Sequence, residues 1–452
     1  MSDAVGAGGD DTDGDSPDNG DAADDSDTPN QTGTQQSRWR SDLRDLLVLV
    51  VATYVGFGLL GVFTGVRLNS IAGFLQTVTF FAGVFALLTL AVNLHWGYTG
   101  LFNIGVAGFM GVGVYTMAIL TAEPTASPAG FGLPTAVGVI GGTIVAGLVG
   151  VVIALPALRV RADYFAIITL GFSEIVRLGV TSGALRQVEI GGRVYGTGGG
   201  GGIGYQPVNS VVTWLLELPG VSAVGDGLYA AAAFLGLSAS IVDRVLYVLV
   251  IVGFVLLFYL LLERIAHSPF GRVLKAIRED ETAARSLGKD TRRAKLTVFA
   301  LGAALMGLAG ILWIGSRSLA TPGSFVPVVT FYIFVALIIG GSGSNTGSVI
   351  GAFVFAAFLW EGPRFVRTIL RTRLDLASPS TVVDAVGQLT ALNPLPLVGY
   401  VVDSLDVLRW VAIGVLLVVL MVRRPEGLYG GRTDIAAATD LSIRPVRGDD
   451  DE

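Results

Sequence analysis

The stretch LTVFALGAALMGLAGILWIGS, residues 296–316, decides the fold class, because its 21 positions contain no ionised side chain. The hydrocarbon core of a bilayer is about 30 Å thick, and about 20 apolar residues cross it as a helix. Five other segments meet the same criterion, so the sequence predicts a helical membrane protein. They are Leu46 to Val66, Ile71 to Leu94, Leu101 to Ala122, Phe131 to Leu158 and Val245 to Leu262.

Four less regular segments bring the predicted number of spans to about ten. Tyr164 to Thr181 is interrupted by two charged residues, and Leu405 to Val422 carries two near one end. The uncharged run Phe325 to Trp360 is long enough for two helices, with a break at the glycine-rich residues 340–347. The predicted fold is all-α: a polytopic membrane helix bundle of about ten transmembrane spans with broken or re-entrant segments.

The composition narrows the chemistry of the chain. Hydrophobic residues make up 52% of it and charged residues 15%, whereas about a quarter of the residues of soluble domains are charged. Cysteine is absent, and the histidines are His95 and His267. Disulfides, thiol nucleophiles and zinc sites of the Cys and His type are therefore excluded or nearly so. We expect no metal and no cofactor in this chain.

The termini differ in charge from the body of the chain. Residues 1–37 contain ten Asp and no Lys or Arg, which leaves 26 acids against 30 bases elsewhere. Such a polar, like-charged segment is typical of disorder. We predict a disordered acidic cytoplasmic tail over 1–37, a transmembrane permease domain over 38–430 and an acidic cytoplasmic tail over 431–452. The 27 Arg against 3 Lys favour a high-salt cytoplasm, with compositional drift as the alternative.

Basic residues predict the orientation of the chain, because short cytoplasmic loops are enriched in Arg and Lys. Nine bases lie in the loop 263–295, and smaller basic groups precede the first span and follow the fourth and the last. A ten-span topology places these groups and both termini in the cytoplasm. The loops 182–243 and 361–404 are then external, although four arginines between 364 and 373 argue against the second assignment.

The first external loop contains the glycine-rich residues 191–204, for which we expect a flexible loop. The loop 182–243 is either a docking surface for an external solute-binding protein or a tolerated insertion. The sequence alone favours neither interpretation.

The cytoplasmic loop contains a segment with its own helix signals. Ser268 is a suitable N-cap, Pro269 suits the first helical position, and Gly288 suits the residue after the last. We predict a short amphipathic helix, which either lies in the lipid interface or binds a groove on a soluble partner. The apolar residues on one face of it are Leu274, Ile277, Ala284 and Leu287.

Five motifs that follow one another in order resemble a single family. They are residues 93–100 (NLHWGYTG), 158–177 (LRVRADYFAIITLGFSEIVR), 276–288 (AIREDETAARSLG), 340–347 (GGSGSNTG) and 424–428 (RPEGL). On these residues the chain resembles the permeases of branched-chain amino-acid ABC importers, of the LivM type. The resemblance implies a permease in the cell membrane that works with a homologous second permease, two cytoplasmic ATPase subunits and an external solute-binding protein. It leaves the cargo open among branched-chain amino acids, other amino acids, urea and amides.

The resemblance also implies that the cytoplasmic segment couples ATPase closure to the spans. The chain has no Walker A loop of its own, because Gly288-Lys289 has Ala283 and Asp290 where Gly and Ser or Thr are required. ATP hydrolysis and its Mg²⁺ are therefore expected on partner subunits, and this chain is not expected to be an enzyme. The residues that the resemblance assigns to coupling are Arg278, Glu279, Asp280, Glu281, Ala283, Ala284, Leu287 and Gly288.

Two glycine-broken segments and one charged pair are candidates for the translocation path. Unwound backbone at membrane depth is tolerated only against protein or a water-filled cavity, and close helix packing is the alternative explanation of the glycines. Glu174 and Arg177 share a helix face, where they either contact the end groups of an amino acid or lock helices together. The other path candidates are Asn93, Gly97, Tyr98, Thr99, Gly100, Asn103, Ser342, Ser344 and Asn345.

The segment that follows Gly100 departs from the family pattern at three positions. The family commonly has Gln, Ser and His where this chain has Leu101, Asn103 and Val106. The departure bears on the identity of the cargo. An ion-coupled secondary transporter is the main alternative function, but Glu174 is the one acid well inside a predicted span. A membrane-embedded enzyme is less favoured, because the spans lack the clustered His, Cys and carboxylates of such sites.

Overall fold

The computed structural model describes residues 31–160, 162–190, 192–373, 379–391 and 393–429. The chain forms two units, Met1–Val48 and Leu49–Glu452. The described residues of the first unit, 31–48, form the start of the first helix. The second unit contains the elements that follow. Residues 31–37 are helical, so this helix begins inside the segment that the sequence assigned to a disordered tail. The rest of that tail and the tail over 431–452 lie outside the described residues.

Helices make up most of the described chain. They are α1 Gln31–Phe63, α2 Leu68–Val92, α3 Val106–Thr121, α4 Thr135–Ala157, α5 Ala162–Thr181, α6 Gly183–Arg186, α7 Ser210–Leu216, α8 Ser222–Phe234, α9 Ala239–Ala266, α10 Pro269–Glu279, α11 Glu281–Ser286, α12 Thr291–Ile314, α13 Val328–Gly340, α14 Asn345–Val354, α15 Gly362–Arg373, α16 Val382–Gly387, α17 Leu395–Asp403 and α18 Leu405–Arg423. Two π-helical segments, Asn93–Gly97 and Phe355–Glu361, continue α2 and join α14 to α15. Single 3₁₀ turns lie at Gly199–Gly201, Pro322–Phe325 and Gln388–Ala391.

Eight helices in the described part of the chain are long and apolar enough to cross a membrane. The shorter apolar helices α3 and α13 occupy the positions of two further predicted spans. The prediction of a polytopic helical membrane bundle is therefore confirmed. The eight long helices are Arg44–Phe63, Leu68–Gly97, Thr135–Ala157, Tyr164–Thr181, Ala239–Ala266, Thr291–Ile314, Asn345–Arg371 and Leu405–Arg423.

The core of the larger unit is built around α2 and α12, whose side chains are mostly buried, whereas few side chains of α4 and α18 are fully buried. Small residues let the backbones of α3, α4 and α12 approach closely. A Cβ placed on Gly113 would lie 2.8 Å from the Gly307 backbone, and one on Gly142 would lie 2.4 Å from the Gly113 carbonyl oxygen. Such contacts are how membrane helices gain packing energy when lipid tails are as apolar as leucine.

The glycine-rich region after α5 is more regular than the flexible loop that the sequence predicts. Strand β1 Val188–Ile190 pairs with β2 Arg193–Tyr195, and β3 Ile203–Gly204 pairs with β4 Leu319–Ala320, both antiparallel. Gly202 has a φ of 81° and approaches Ala320 so closely that a Cβ would lie 2.1 Å from its carbonyl oxygen. Glycine therefore allows this segment to pack against the neighbouring strand.

The second loop differs from its predicted bounds, because the helix that begins at Asn345 continues to Arg373 instead of ending at residue 360. Its arginines face acids near the start of α18. Arg367 donates to the Asp406 carboxylate at 3.0 Å, and Arg371 pairs with Asp403. These carboxylates therefore balance part of the positive charge of the arginines at this end of α15.

Candidate functional site

The first helix break lies between α2 and α3. The chain leaves regular helix at the π segment Asn93–Gly97, turns at Gly100 with a φ of 70°, and resumes helix at Val106. Side chains of α5 pair with freed backbone groups there. Thr169 Oγ1 accepts from the Ile104 N–H at 3.0 Å, and Ser173 Oγ accepts from the Gly108 N–H at 2.8 Å. The break is thus satisfied by protein, as backbone at membrane depth requires.

A histidine inside the first break is held by a buried hydrogen-bond chain. Asn103 accepts from the Gly105 N–H at 2.8 Å and donates to His95 Nδ1 at 3.1 Å, while His95 Nε2 lies 3.2 Å from the Val298 carbonyl oxygen. These bonds fit the tautomer that carries its proton on Nε2. The imidazole also stacks on Phe299 at a centroid distance of 4.8 Å. His95 therefore fixes the first break against α12.

The second helix break lies between α13 and α14. Gly341 and Gly343 have φ values of 103° and 88°, which L side chains rarely adopt, and Ser344 caps α14 by accepting from the Gly347 N–H at 3.0 Å. A Cβ placed on Gly340 would lie 1.9 Å from the Gly347 carbonyl oxygen. Glycines thus provide both the turn and the close contact of the two helices.

Asn93 joins the two breaks. Its Oδ1 accepts from the Gly343 N–H at 2.7 Å, and its Nδ2 donates to Asn345 Oδ1 at 3.2 Å. Asn345 in turn donates to the Glu263 carboxylate, at the end of α9, at 2.9 Å. We call residues 93–105 and 340–347 together the junction. Because Asn93 is fully buried and Asn345 nearly so, the junction is a packed polar contact between four helices.

The segment after α18 also packs on the junction. Leu428 donates its N–H to the Ile339 carbonyl at 2.9 Å, and Tyr429 donates to the Gly340 carbonyl at 2.9 Å. Gly427 has a φ of 77°, and a Cβ there would lie 2.6 Å from the Gly341 nitrogen. This contact gives the motif at 424–428 a structural role, because its backbone satisfies the carbonyl groups at the end of α13.

The predicted amphipathic helix is two helices, which corrects the single helix expected over 269–288. Ser268 caps α10 as predicted, by accepting from the Gly271 N–H at 3.1 Å. Asp280 then leaves helical geometry and caps α11, with its carboxylate accepting from the Thr282 N–H at 2.7 Å. The second helix ends before Gly288, which has a φ of 74°. Aspartate favours such a cap over a helix interior, which explains the break.

The first of these two helices contacts the junction directly. A nitrogen of the Arg278 guanidinium donates to the carbonyl oxygen of Gly97. A Cβ on Gly100 would lie 3.4 Å from Arg278 Cγ, and Lys275 Nζ lies 5.9 Å from the centroid of the Tyr98 ring. Since Arg278 is the only predicted coupling residue with a described hydrogen bond to the junction, it is the point where the two candidate sites meet.

Glu281 attaches α11 to the start of α12. It accepts from Arg285 at 2.9 Å, from the Thr291 hydroxyl at 3.0 Å and from Lys295 at 2.5 Å. Burial opposes ionisation of Glu281, but these hydrogen bonds and charges together hold the pKa of its carboxyl below the ordinary value. The anchored α11 carries Ala284 in its buried face.

The remaining predicted coupling residues form an exposed surface around this anchor. Glu279, Asp280, Ala283 and Gly288 are exposed. Leu287, which the sequence placed on the buried face, is instead 77% exposed, and it lies after Ser286, the last residue of α11. The surface of this segment therefore combines acidic groups, the exposed Arg285 and one exposed leucine.

Glu174 and Arg177 occupy a different location, on the outer face of α5. The arginine pairs with the glutamate through both carboxylate oxygens, and their side chains remain 26% and 37% exposed, respectively. Within the described part of the chain, the pair has no hydrogen bond or ion pair to another helix. Nearby Ile175 and Leu178 on α5 are also exposed. The pair therefore does not hold helices of this chain together.

The predicted path residues thus fall into two groups. Those of the junction lie together, whereas Glu174 and Arg177 lie apart from them on α5. Leu101 and Val106, which depart from the family pattern, are buried like Asn103 and so bear on junction packing. The buried members of the junction group are Asn93, Gly97, Tyr98, Thr99, Asn103 and Asn345, with Ser342 and Ser344 half-buried and Gly100 exposed.

Sequence reasoning missed several residues of the site. His95 had a signal, because it is a histidine inside a span and within the quoted motif at 93–100. Thr169 and Ser173 also lie inside a quoted motif, although nothing in their spacing indicates that they bind α3. Glu263 had no local signal, since its partner Asn345 is 82 residues away.

The fold and the site together define a class: a polytopic helical membrane protein in which two broken helices meet an amphipathic segment outside the spans. Within that class, a match to a family profile covers residues 74–359. The chain belongs to the family described as branched-chain amino acid transport system / permease component.

Individual relatives agree with this family. The chain is 34% identical over 272 residues to the high-affinity branched-chain amino acid transport system permease protein LivM of Escherichia coli (strain K12), a match that covers 60% of this chain and 59% of the relative. It is 25% identical over 301 residues to the probable branched-chain amino acid transport permease protein LivM of Methanocaldococcus jannaschii, covering 60% of this chain and 76% of that protein.

A third relative is the high-affinity branched-chain amino acid transport system permease protein LivH of Salmonella typhimurium. It is 34% identical over 98 residues, which cover 20% of this chain and 29% of the relative. The match to LivM of Escherichia coli covers 59% of that protein, so the chain spans somewhat under two thirds of its length. No solved structure matches the chain significantly.

Proposed function

We propose that this chain is a permease subunit of an ATP-driven importer in the cell membrane. With a homologous second permease it forms the translocation path for branched-chain amino acids or related small polar solutes. Two cytoplasmic ATPase subunits bind ATP with Mg²⁺ and hydrolyse it, and an external binding protein delivers the solute. Both termini of the chain lie in the cytoplasm in this proposal. The observation that carries it is the hydrogen bond from Arg278 to Gly97, which connects the proposed coupling segment to the junction.

This contact supports a route for the transfer of force. The buried residues Leu274 and Ile277 hold α10 against the bundle, so α10 moves as a rigid element when an ATPase pushes on it. Arg278 passes that displacement to the π segment, and Asn93 passes it to α14 through Gly343 and Asn345. Short helices separated by glycine turns can pivot, which is the hinge element that alternating access needs.

The pair on α5 supports the location of the path. Charged side chains inside a membrane almost always face a bundle interior or a water-filled cavity, because lipid cannot solvate them. Glu174 and Arg177 face outward in the single chain, so the second permease must cover this face of α5 or share a hydrated path with it. A carboxylate beside a guanidinium complements the ammonium and carboxylate groups of an amino acid.

A reconstituted system tests the proposal. The full chain is placed in proteoliposomes with its second permease, two ATPases and binding protein, and uptake of radiolabelled leucine is measured with and without ATP. Arg278→Ala should abolish most ATP-driven uptake while both ATPases still co-purify, and Arg278→Lys should restore part of it. Arg272→Ala is the matched control, because Arg272 is an exposed arginine on the same helix.

Two results would contradict the proposal. Uptake driven by an ion gradient without ATP would favour an ion-coupled secondary transporter. Equal uptake by the Arg278→Ala and Arg272→Ala proteins would remove Arg278 from the coupling route, because the two variants lose the same charge on the same helix.

A further inference from the structure

A basic cavity lies beside the proposed coupling segment, between the end of α4, helix α11 and the start of α12. Its volume is about 310 Å³, at the lower end of the range of small-molecule sites. Four of its lining residues are basic and one is acidic. The residues that line it are Leu158, Arg159, Glu281, Arg285, Arg292 and Lys295.

The charges of the cavity are only partly balanced. Glu281 pairs with Lys295 at 2.5 Å and with Arg285 at 2.9 Å. Across the described residues, no ion pair joins a carboxylate to Arg159 or Arg292. Two exposed arginines, Arg159 and Arg292, therefore line one cavity without a carboxylate partner among the described residues. Guanidinium groups bind phosphate oxygens in a bidentate manner, so the cavity suits a phosphate anion.

The position of the cavity favours a phosphate that is attached to a lipid. Arg159 lies two residues past the end of α4, a helix long and apolar enough to cross a membrane, which places it at the membrane surface. The outer face of α4 offers an apolar surface to acyl chains along the full length of the helix. Its exposed residues, spaced three or four apart, are Ile140, Ile144, Leu148, Val152 and Leu155.

We propose that this cavity binds the phosphate of an anionic phospholipid, whose acyl chains lie along the exposed face of α4. Basic pockets between membrane helices at one membrane surface are a recognised way of holding anionic headgroups. A free phosphate would satisfy the two arginines but would make no use of the adjacent apolar face. Since Glu281 and Arg285 belong to the coupling segment, a bound headgroup would also stabilise the position of α11.

The test uses the purified full-length chain and compares phosphatidylglycerol with phosphatidylcholine. Native mass spectrometry measures the affinity of each lipid for the unmodified protein, for R159Q/R292Q and for the control R423Q/R424Q. The control removes two arginines at the end of α18, which do not line the cavity. Attraction by two arginines predicts that R159Q/R292Q binds phosphatidylglycerol about thirtyfold more weakly, with phosphatidylcholine binding unchanged.

Separate measurements distinguish the sources of the phosphate. Inorganic phosphate should not displace phosphatidylglycerol at equal concentration, and displacement would mean that the cavity holds a free anion. Equal loss of phosphatidylglycerol binding in the control variant would overturn the assignment to this cavity. Loss of lipid binding when the ATPase subunits are added would show that a protein surface occupies it instead. Unchanged thermal unfolding of R159Q/R292Q in neutral detergent confirms that the variant is folded.

Discussion

Replacing Asn93 by alanine tests the junction most directly. The side chain is fully buried and makes two hydrogen bonds to the second break, to the Gly343 N–H and to Asn345 Oδ1. Hydrogen bonds between membrane helices contribute about 0.6 kcal/mol on average and up to about 1.7 kcal/mol. Two of them give about 1–3 kcal/mol, and the upper part of that range applies because the Gly343 N–H is left buried without a partner.

The assay is reversible unfolding of the full chain in mixed micelles, followed by ATP-driven uptake in the reconstituted system. Thr89→Val is the matched control, because the Thr89 hydroxyl donates to the Ser348 carbonyl at 3.1 Å and so joins α2 to α14 outside the junction. We expect Asn93→Ala to lose about 1 kcal/mol more stability than Thr89→Val and to uncouple ATP hydrolysis from uptake. The reasoning is refuted if the two variants unfold alike and Asn93→Ala transports normally.

Two further predictions concern charged residues. Glu174→Gln should weaken solute affinity at least about tenfold, since it removes a charge partner of the cargo. The temperature of thermal unfolding should stay the same, because the Glu174–Arg177 pair holds no neighbouring helix. Lower stability with normal transport would instead make the pair structural. Glu281 has a lowered pKa, so the anchoring of α11 is present above the ordinary value of 4.5 and is lost as pH falls through the lowered pKa. Limited proteolysis of α11 should therefore accelerate in acid for the unmodified chain, whereas in Glu281→Gln it should be fast and nearly independent of pH.

The helices of the bundle were predictable because membrane insertion imposes a local rule. A run of about 20 uncharged residues favours a helix that crosses the lipid, because the backbone groups of a membrane segment must be paired within it. The glycine-rich breaks and the cap at Ser268 were predictable for a similar reason, since glycine turns and N-caps depend on a few neighbouring residues. The kink at Asp280 also follows a local preference, because aspartate favours an N-cap over a helix interior. The amphipathic pattern of the same segment favoured one continuous helix, and the sequence does not show which preference wins.

The contacts between distant segments were not predictable from local patterns. Asn93 bonds to residues about 250 positions away, and Arg278 reaches Gly97 across 181 positions. Nothing in the spacing of residues 93–100 indicates that Gly97 faces the glycine turn at 340–347. The outward direction of Glu174 and Arg177 likewise depends on which face of α5 packs on α3, through Thr169 and Ser173.

Hydrophobic runs and loop charge were enough to identify a helical membrane protein, to locate most of its apolar helices and to indicate an amphipathic segment outside the spans. Hydrophobic length and charge determine these properties, because the bilayer acts on each segment separately. The tertiary structure alone decided that the two breaks, the segment at 424–428 and Arg278 meet in one junction, and that the pair on α5 faces outward. Close packing decides these contacts, because shape and hydrogen bonds must be satisfied by all neighbouring helices at once.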